Sequence, residues 1–225
     1  PRVKPSFGSA QINWGHPLAW GLVGCWLFNE GAGIAIDLVQ GFSGTLNGAI
    51  WAPSNQGIGV TLDGTDDFIL SVDHSMLNLS ESPAFAALAL VTPLTITGSR
   101  TVFSKANGVN NLDYELLILN EVWRVRTQDQ VGDANSLSFP VAGQTYMVGC
   151  AQDAAALTLY VNGVQVAQDT TLGTAEVTTS PLRFGCFDNL GTNQNFFHGR
   201  IHEIAFWKNR ALRPADFLAL STAPY

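Results

Sequence analysis

The sequence predicts an all-β protein, an antiparallel sandwich or barrel, and three observations support this fold class. Roughly a dozen short segments are apolar throughout or alternate apolar and polar residues, which is the period of a strand. Turn residues separate these segments, and the 225 residues include 22 Gly and 10 Pro. Only 13% of the residues are charged, which suits a chain that buries much of its surface. No internal repeat or low-complexity linker divides the chain, so we expect one domain.

The clearest strand pattern lies in residues 59–72. Apolar residues alternate with smaller or polar ones in residues 60–62 and again in residues 68–72. Residues 63–67 (DGTDD) interrupt this alternation, and Asp-Gly favours a turn because Gly adopts positive φ and Asp binds nearby backbone amides. The pattern predicts a half-buried antiparallel sheet with an acidic loop at its edge.

The remaining elements follow in order along the chain. Residues 22–28 (LVGCWLF) are apolar on both faces and predict a central strand. Asn120-Glu121 and Asn162-Gly163 lie between alternating segments and predict two hairpins. Residues 213–220 predict a short C-terminal helix, with Pro214 in its first turn. Further strands are predicted at residues 84–92, 101–104, 113–119, 122–127, 144–151, 157–161, 182–187 and 201–207.

Residues 1–20 form an N-terminal segment ahead of a domain at residues 21–225. Pro and Gly exclude regular helix from this segment, although it carries two Trp residues. In one interpretation, residues 14–20 pack on the core. In the other, residues 1–13 form an extended arm that docks on a neighbouring subunit. The docking residues would then be Arg2, Val3, Phe7, Ile12 and Trp14.

Net charge and hydropathy argue against nucleic-acid and membrane partners, and the positions of the cysteines predict their state. The formal net charge is −7 and the pI is about 4.9, so phosphate-neutralising nucleic-acid binding is not expected. The sequence has no apolar run of transmembrane length and opens on the polar PRVKP rather than a signal peptide, which favours synthesis in the cytoplasm and no membrane partner. Cys25, Cys150 and Cys186 lie in apolar runs and are predicted to be buried free thiols.

Six segments occur in a family-specific order: residues 21–33 (GLVGCWLFNEGAG), 44–48 (GTLNG), 62–72 (LDGTDDFILSV), 101–105 (TVFSK), 159–163 (LYVNG) and 199–212 (GRIHEIAFWKNRAL). In these segments the chain resembles the laminin-G-like branch of the concanavalin A-like lectin/glucanase superfamily. The resemblance covers nearly the whole chain. It implies a β-sandwich jelly roll in which the first and last strands pair in one sheet.

The resemblance also implies a calcium site on the outer side of the sandwich, formed by carbonyls near the N-terminal strand and an acid in the last strand. That acid falls at His202, and imidazole is a poor calcium ligand. Glu203 is expected on the opposite face of a regular strand. The acidic loop is a second calcium candidate through Asp63, Asp66 and Asp67, unless these carboxylates cap turn amides. We therefore expect no cofactor, with calcium as the one candidate.

Catalytic patterns are sparse. Glycosidases of this superfamily carry paired acids along a strand as E-x-D-x-E, which this chain lacks. The nearest match is Asp113 and Glu115, which would share one face, as at many solvated strand edges. His198 and His202 would share a face roughly 13 Å apart, too far for one metal ion. Because other catalytic fingerprints are missing, we expect a protein that is not an enzyme.

A sugar-binding candidate lies at residues 188–197 (DNLGTNQNFF), where polar and aromatic residues share one loop. Exposed aromatic rings stack on pyranose faces, and amides bind hydroxyl groups. Alternatively, Phe196 and Phe197 plug the edge of the sandwich. The candidate ligand-binding residues are Asn189, Asn193, Asn195, Phe196 and Phe197.

Two functions from different classes follow. Single-domain proteins of this branch that open with a segment like residues 12–18 (INWGHPL) resemble bacteriophage and prophage virion components. That resemblance implies a structural or adhesive protein that decorates a capsid or tail, made in the host cytoplasm and carried in the virion. Its partners would be other virion proteins or further copies of itself. The alternative is a lectin-like module that binds cell-surface or environmental glycans.

Overall fold

A computed structural model of the protein describes residues 4–127, 132–173 and 178–222. The described residues form short strands, two 3-10 turns (Pro17–Ala19 and Ser75–Leu77) and one helix. In chain order, the elements are β1 (Leu22–Trp26), β2 (Thr45–Asn47), β3 (Ile50–Ser54), β4 (Gly57–Asp63), β5 (Phe68–Leu70), β6 (Phe85–Pro93), β7 (Ser99–Ala106), β8 (Leu112–Leu119), β9 (Val122–Thr127), β10 (Gly132–Asn135), β11 (Tyr146–Gln152), β12 (Leu157–Val161), β13 (Val164–Asp169), β14 (Arg183–Phe184), β15 (Phe187–Asn189), β16 (Thr192–Gln194), β17 (His198–Lys208) and α1 (Pro214–Thr222).

The strands form two large antiparallel sheets that pack as a sandwich. The first sheet has the order β13-β12-β11-β6-β17-β4-β3, with β1 also paired to β17. The second sheet has the order β10-β9-β8-β7-β14-β5-β2, and β15 and β16 form a separate hairpin. The predicted all-β class, the C-terminal helix and the jelly-roll pairing of the first and last strands are confirmed.

The two predicted hairpins are present. Asn120 and Glu121 join β8 to β9 with φ values of 48° and 70°, and Asn162 and Gly163 join β12 to β13 with φ values of 50° and 81°. Both residues of each turn thus lie in the left-handed region, as the twist of a two-residue hairpin requires.

The prediction that residues 59–72 form one antiparallel sheet is wrong. Strand β4 belongs to the first sheet, where it pairs with β3 and β17, whereas β5 pairs with β2 and β14 in the second. The acidic loop therefore crosses from one sheet to the other. The alternation showed which residues face inwards, but two strands with the same period can belong to opposite layers.

The prediction of a central strand at residues 22–28 is also wrong. Strand β1 pairs with the second half of β17, while β4 pairs with the first half. On the other edge of β1, a single isolated bridge joins Trp26 to Asp37 among the described residues. The strand is nevertheless buried on both faces, because the N-terminal segment covers the outer one. Burial on two faces therefore does not require a paired strand on each side.

The main core lies between the sheets and is rich in aromatic rings. Trp26 meets Phe184 and Phe206 edge to face, with ring centroids 5.1 and 6.0 Å apart, and Phe103 meets Phe206 at 5.1 Å. These four residues are no more than 1% exposed. Edge-to-face contacts of this kind add to the stabilisation from burial.

A second apolar layer covers the outer face of the first sheet. Ile12 and Leu18 pack on it, and Phe217 of α1 stacks on Tyr160 with centroids 4.1 Å apart. Trp14 and Trp20 are instead 61% and 69% exposed, so residues 14–20 contact the sheet through Leu18 rather than through their tryptophans. This layer also holds part of the N-terminal segment in place.

The predicted burial of the three cysteines is confirmed. Cys25, Cys150 and Cys186 are buried free thiols, and burial raises the pKa of each. Among the residues that the structure describes, only α1 is α-helical, and its nine residues are too few to cross a membrane.

Candidate functional site

Four residues lie directly opposite one another on adjacent strands of the second sheet: Arg183 in β14, Ser104 in β7, Glu115 in β8 and Arg126 in β9. We call them the polar row. The neighbouring row in the same four strands belongs to the core between the sheets. Because successive side chains alternate between faces, the polar row lies on the outer face of the second sheet.

The charges of the polar row are paired. Glu115 accepts a hydrogen bond of 2.5 Å from the Thr101 hydroxyl through Oε1 and forms an ion pair with Arg126 through Oε2. At the other end, Nη2 of Arg183 lies 3.0 Å from Oδ2 of Asp188. Glu115 is fully buried. The charged members of the row are therefore planar hydrogen-bonding groups in fixed positions.

Asp113 and Glu115 do not form the paired acids of a glycosidase. The register of β7 and β8 shifts between Lys105 and Ala106, which breaks the alternation beside Asp113. Asp113 accepts a 2.8 Å hydrogen bond from the backbone amide of Ser80, away from the partners of Glu115. Burial is the main cause that raises the pKa of Asp113 to about 7. The spacing alone predicted one shared face, and the bulge removes it.

The hairpin of β15 and β16 borders one end of the polar row. Backbone hydrogen bonds tie it to the second sheet: Thr101 N donates to Asn195 O at 2.8 Å, and Gly108 N donates to Asp188 O at 3.0 Å. Ser104 Oγ donates to Cys186 O at 2.8 Å. The hairpin therefore stands on a rigid base, and its residue Asp188 pairs with Arg183.

The predicted sugar-binding residues divide into two groups. Asn189, Asn193, Asn195 and Phe196 are half-buried and lie in or next to the hairpin. Phe197 is fully buried in the main core and cannot contact a ligand, so for this residue the edge-plug alternative describes its position. Adjacent residues of an extended chain point in opposite directions, which explains the different positions of the two phenylalanines.

The Arg183 guanidinium has two observed partners and one donor that they leave unused. Nη1 donates to Pro181 O at 3.2 Å, and the same guanidinium pairs with Asp188. Its Nε is buried without a hydrogen-bond partner among the described residues. A buried donor without a partner costs free energy, so an acceptor placed against it would be stabilising.

The acidic loop brings its three carboxylates together. One oxygen each from Asp63, Asp66 and Asp67 lies within 4.8 Å of the others. Asp63 Oδ1 accepts from Thr65 N at 2.8 Å, and Asp67 Oδ2 accepts from Asp63 N at 2.9 Å. Hydrogen bonds from backbone amides, foremost that of Thr65, lower the pKa of Asp63, whereas burial raises that of Asp67. Two of the three carboxylates thus cap turn amides.

On the outer side of the first sheet, the positive charge of the Lys4 side chain lies among backbone carbonyls. The Lys4 ammonium donates to Leu27 O at 2.7 Å, to Phe28 O at 3.1 Å and to Ile58 O. Burial lowers the pKa of Lys4 to about 8, while the charges of Glu203 and Glu30 oppose this shift. The three donors of the ammonium match three carbonyl acceptors. The carbonyls following β1 are therefore bound by a side chain of the N-terminal segment.

The expectation that Glu203 points away from His202 is wrong. Ile201 and Ile204 both face the core, and the register of β17 against β6 shifts between Ile201 and Glu203. This bulge turns both His202 and Glu203 to the outer face, where Glu203 lines a cavity of about 590 Å³ next to Cys25. His202 Nε2 lies 2.9 Å from Thr92 Oγ1.

The two histidines of β17 have separate partners. His198 Nδ1 lies 2.7 Å from Thr95 Oγ1, whereas His202 contacts Thr92. Burial is the main cause that lowers the pKa of His202 to about 3, with the positive charges of Lys4 and Arg200 adding to it. His202 is therefore a neutral, buried side chain.

The structure describes three of the five residues predicted to dock on a neighbouring subunit. Phe7 and Trp14 are 57% and 61% exposed, while Ile12 is half-buried against the first sheet. Arg2 and Val3 lie outside the described residues.

The polar row is not among the sites predicted from the sequence. Its members are far apart in the chain, and only strand pairing brings them together. A usable signal was the presence of charged residues with period two in otherwise apolar strands, as in Arg124 and Arg126 of β9.

Comparison with solved structures supports the fold. Domain 4 of an extracellular arabinanase from Geobacillus stearothermophilus, solved with arabinotriose, has a TM-score of 0.67 and 18% identity over 89% of this chain and 98% of its own. The binding domain of Paraclostridial Mosquitocidal Protein 1 has a TM-score of 0.69 and 15% identity over 89% of this chain and 52% of its own.

A Trypanosoma rangeli sialidase mutant with trans-sialidase activity has a TM-score of 0.68 and 16% identity over 91% of this chain. The chain spans a third of that sialidase and about half of the mosquitocidal binding domain. At these identities, the likeness shows a shared lectin-like sandwich. A search of curated proteins returned no match. Residues 63–216 match the family model described as the concanavalin A-like lectin/glucanases superfamily, and the chain belongs to this superfamily.

Proposed function

We propose that this protein is a non-catalytic adhesive domain that binds carbohydrate at the end of the polar row bordered by the β15–β16 hairpin. The observation that carries the proposal is Arg183, whose Nε is unpartnered and whose guanidinium pairs with Asp188 of the hairpin that carries the half-buried amides. Planar guanidinium and amide groups bind vicinal hydroxyls in fixed directions. The arabinotriose complex of the arabinanase domain is consistent with a glycan ligand for this fold.

Catalysis is not part of this proposal. Glu115 is held by Thr101 and Arg126, and Asp188 is held by Arg183. Glycoside hydrolysis needs one carboxyl group that donates a proton and a second that acts as base or nucleophile across the scissile bond. Two carboxylates with fixed cationic partners favour binding over proton transfer.

The test is glycan binding by the protein and by variants of the hairpin. The intact chain is screened on a glycan array, and its best hit is titrated by calorimetry. Arg183→Gln and Asn193→Ala should each weaken binding about tenfold, the loss of one or two good hydrogen bonds. Gln168→Ala, on exposed β13 of the other sheet, is the matched control and should bind like the unchanged protein. Affinity unaltered by both hairpin variants would overturn the location.

For calcium, we propose that the fold does not depend on the ion. The ammonium of Lys4 supplies a positive charge to the carbonyls of Leu27, Phe28 and Ile58. Neutral His202 offers no negative ligand beside them. Two acidic-loop carboxylates already accept backbone amides.

The second candidate function is a structural role in a bacteriophage virion, as a capsid-decorating or tail protein that contacts other virion proteins or copies of itself. The observation that favours it is the exposure of Phe7 and Trp14 on the N-terminal segment. Exposed large apolar groups of this kind mark protein interfaces. Light scattering on the eluting protein should show a trimer or larger assembly that Phe7→Ser with Trp14→Ser dissociates. A monomer at all concentrations would count against self-association.

A further inference from the structure

A further cleft, of about 470 Å³, lies between the N-terminal 3-10 turn and the start of α1. None of its lining residues belongs to the polar row or to the β15–β16 hairpin. The lining residues are Pro17, Trp20, Arg210, Ala211, Arg213 and Asp216. The cleft thus combines one large aromatic ring with three charged side chains.

Trp20 offers a fixed aromatic surface. Its carbonyl accepts a 2.8 Å hydrogen bond from Arg210 Nη1, and its amide donates to Pro17 O at 3.3 Å. The Arg210 guanidinium carbon lies 5.6 Å from the ring centroid. Although these contacts hold the residue in place, it remains 69% exposed. An exposed indole whose backbone is held in this way is suited to stacking against the apolar face of a sugar ring.

The charges around Trp20 favour an anion. Arg210 and Arg213 share one carboxylate, since Asp216 Oδ2 lies 3.6 Å from a guanidinium nitrogen of each. The same oxygen accepts a 2.9 Å hydrogen bond from Arg213 N. The Arg213 side chain is 80% exposed, so most of its donors are available. Two guanidinium groups and one carboxylate leave a positive charge in a protein whose formal net charge is −7.

We propose that this cleft binds a pyranose that carries a carboxylate, such as a sialic or uronic acid residue of a glycan. The ring stacks on Trp20, and its carboxylate pairs with Arg213, because a guanidinium binds a carboxylate through two parallel hydrogen bonds. This inference rests on the proposed carbohydrate-binding function and adds a second site with its own ligand class.

The experiment compares acidic and neutral sugars as matched pairs. The intact protein is titrated by calorimetry and ligand-observed NMR with 3′-sialyllactose against lactose, and with glucuronic acid against glucose. We expect the acidic member of at least one pair to bind about tenfold more tightly, the effect of one charge-assisted hydrogen-bonded pair. The pair that shows the preference distinguishes a sialic from a uronic acid ligand.

Two variants test the site itself. Trp20→Ala should weaken binding of the acidic sugar at least tenfold, whereas Arg213→Gln should remove the preference for the acidic member of the pair. Both residues are exposed, so neither change removes a core contact. Phe139→Ala is the control, since Phe139 is a similarly exposed aromatic residue, at 64%, but does not line the cleft.

The outcomes separate the two proposals. Acidic-sugar binding that survives Trp20→Ala and Arg213→Gln but falls with Arg183→Gln overturns the cleft and leaves the proposed function standing. Equal affinity for the acidic and neutral members of both pairs also overturns the cleft. Failure to bind any glycan on the array overturns both.

Discussion

His202 illustrates how one bulge changes the chemistry of a residue. The bulge in β17 places it on the outer face next to Thr92, with Lys4 and Arg200 as neighbouring positive charges. A third positive charge here would be both desolvated and repelled, so the imidazole stays neutral. Its neighbour Glu203 supplies negative charge toward Lys4 on the same face.

The low pKa of His202 predicts a pH dependence of stability. Its pKa is about 3 in the folded protein and 6.5 when unperturbed, so the unfolded chain binds more protons below about pH 6.5. The stabilisation from neutral His202 is therefore complete above that pH and is lost as the pH falls toward 3. Between about pH 7 and about pH 5, we expect unfolding free energy to fall by about 1–2 kcal/mol more in the unchanged protein than in His202→Gln.

Because Asp113 also titrates in this pH range, the effect of His202 is measured as the difference in unfolding free energy between the unchanged protein and His202→Gln. The pKa of Asp113 is raised to about 7, so the folded state binds more protons than the unfolded state between 3.8 and 7. Acidification therefore adds stability through Asp113 while it removes stability through His202. Urea unfolding of both proteins at each pH cancels the Asp113 contribution. Parallel pH profiles for the two proteins would contradict a neutral, buried His202.

At the scale of elements, the acidic loop joins the two sheets rather than two neighbouring strands. Asp67 fixes this crossing, because its Oδ2 accepts from Asp63 N and its carboxylate fills the space next to Gly48. Gly48 has a φ of 73°, and a side chain there would collide with Asp67. The loop is thus held by capping and close packing.

This arrangement predicts different costs for two neighbouring carboxylates. Asp67→Ala should lower the unfolding free energy by about 1 kcal/mol, the net value of one hydrogen bond. Asp66→Ala should be close to neutral, because Asp66 is exposed. Thermal unfolding is measured in EDTA and in calcium chloride, and we expect the same midpoint in both. A midpoint that rises with calcium and loses this rise in Asp66→Ala would show that the loop is a metal site.

Some strands and turns of the fold were predictable from the sequence, and others were not. The hairpins at Asn120-Glu121 and Asn162-Gly163 followed from local turn chemistry, and the alternation of short segments located most strands. The assignment of β4 and β5 to different sheets was not predicted, because it depends on partner strands far along the chain. The polar row was missed for the same reason, and the bulge at His202 has no signature in residue type.

At the scale of the whole molecule, the N-terminal segment is part of the fold between residues 4 and 18. Lys4 binds carbonyls that follow β1 and one in β4, and Ile12 and Leu18 cover the outer face of the first sheet. Phe7 and Trp14, in contrast, are exposed. The segment therefore packs on its own sheet while it presents two large apolar side chains outward.

Deletion of residues 1–13 should destabilise the domain as well as remove any docking surface. The deletion uncovers apolar surface beneath Ile12 and leaves the carbonyls of Leu27 and Phe28 without the Lys4 ammonium. We expect the unfolding free energy to fall by about 3 kcal/mol or more. Urea unfolding followed by tryptophan fluorescence measures the change, with deletion of residues 1–3 as the control that keeps Lys4. If the longer deletion leaves stability unchanged, residues 1–13 contribute nothing to the domain and act as a free arm.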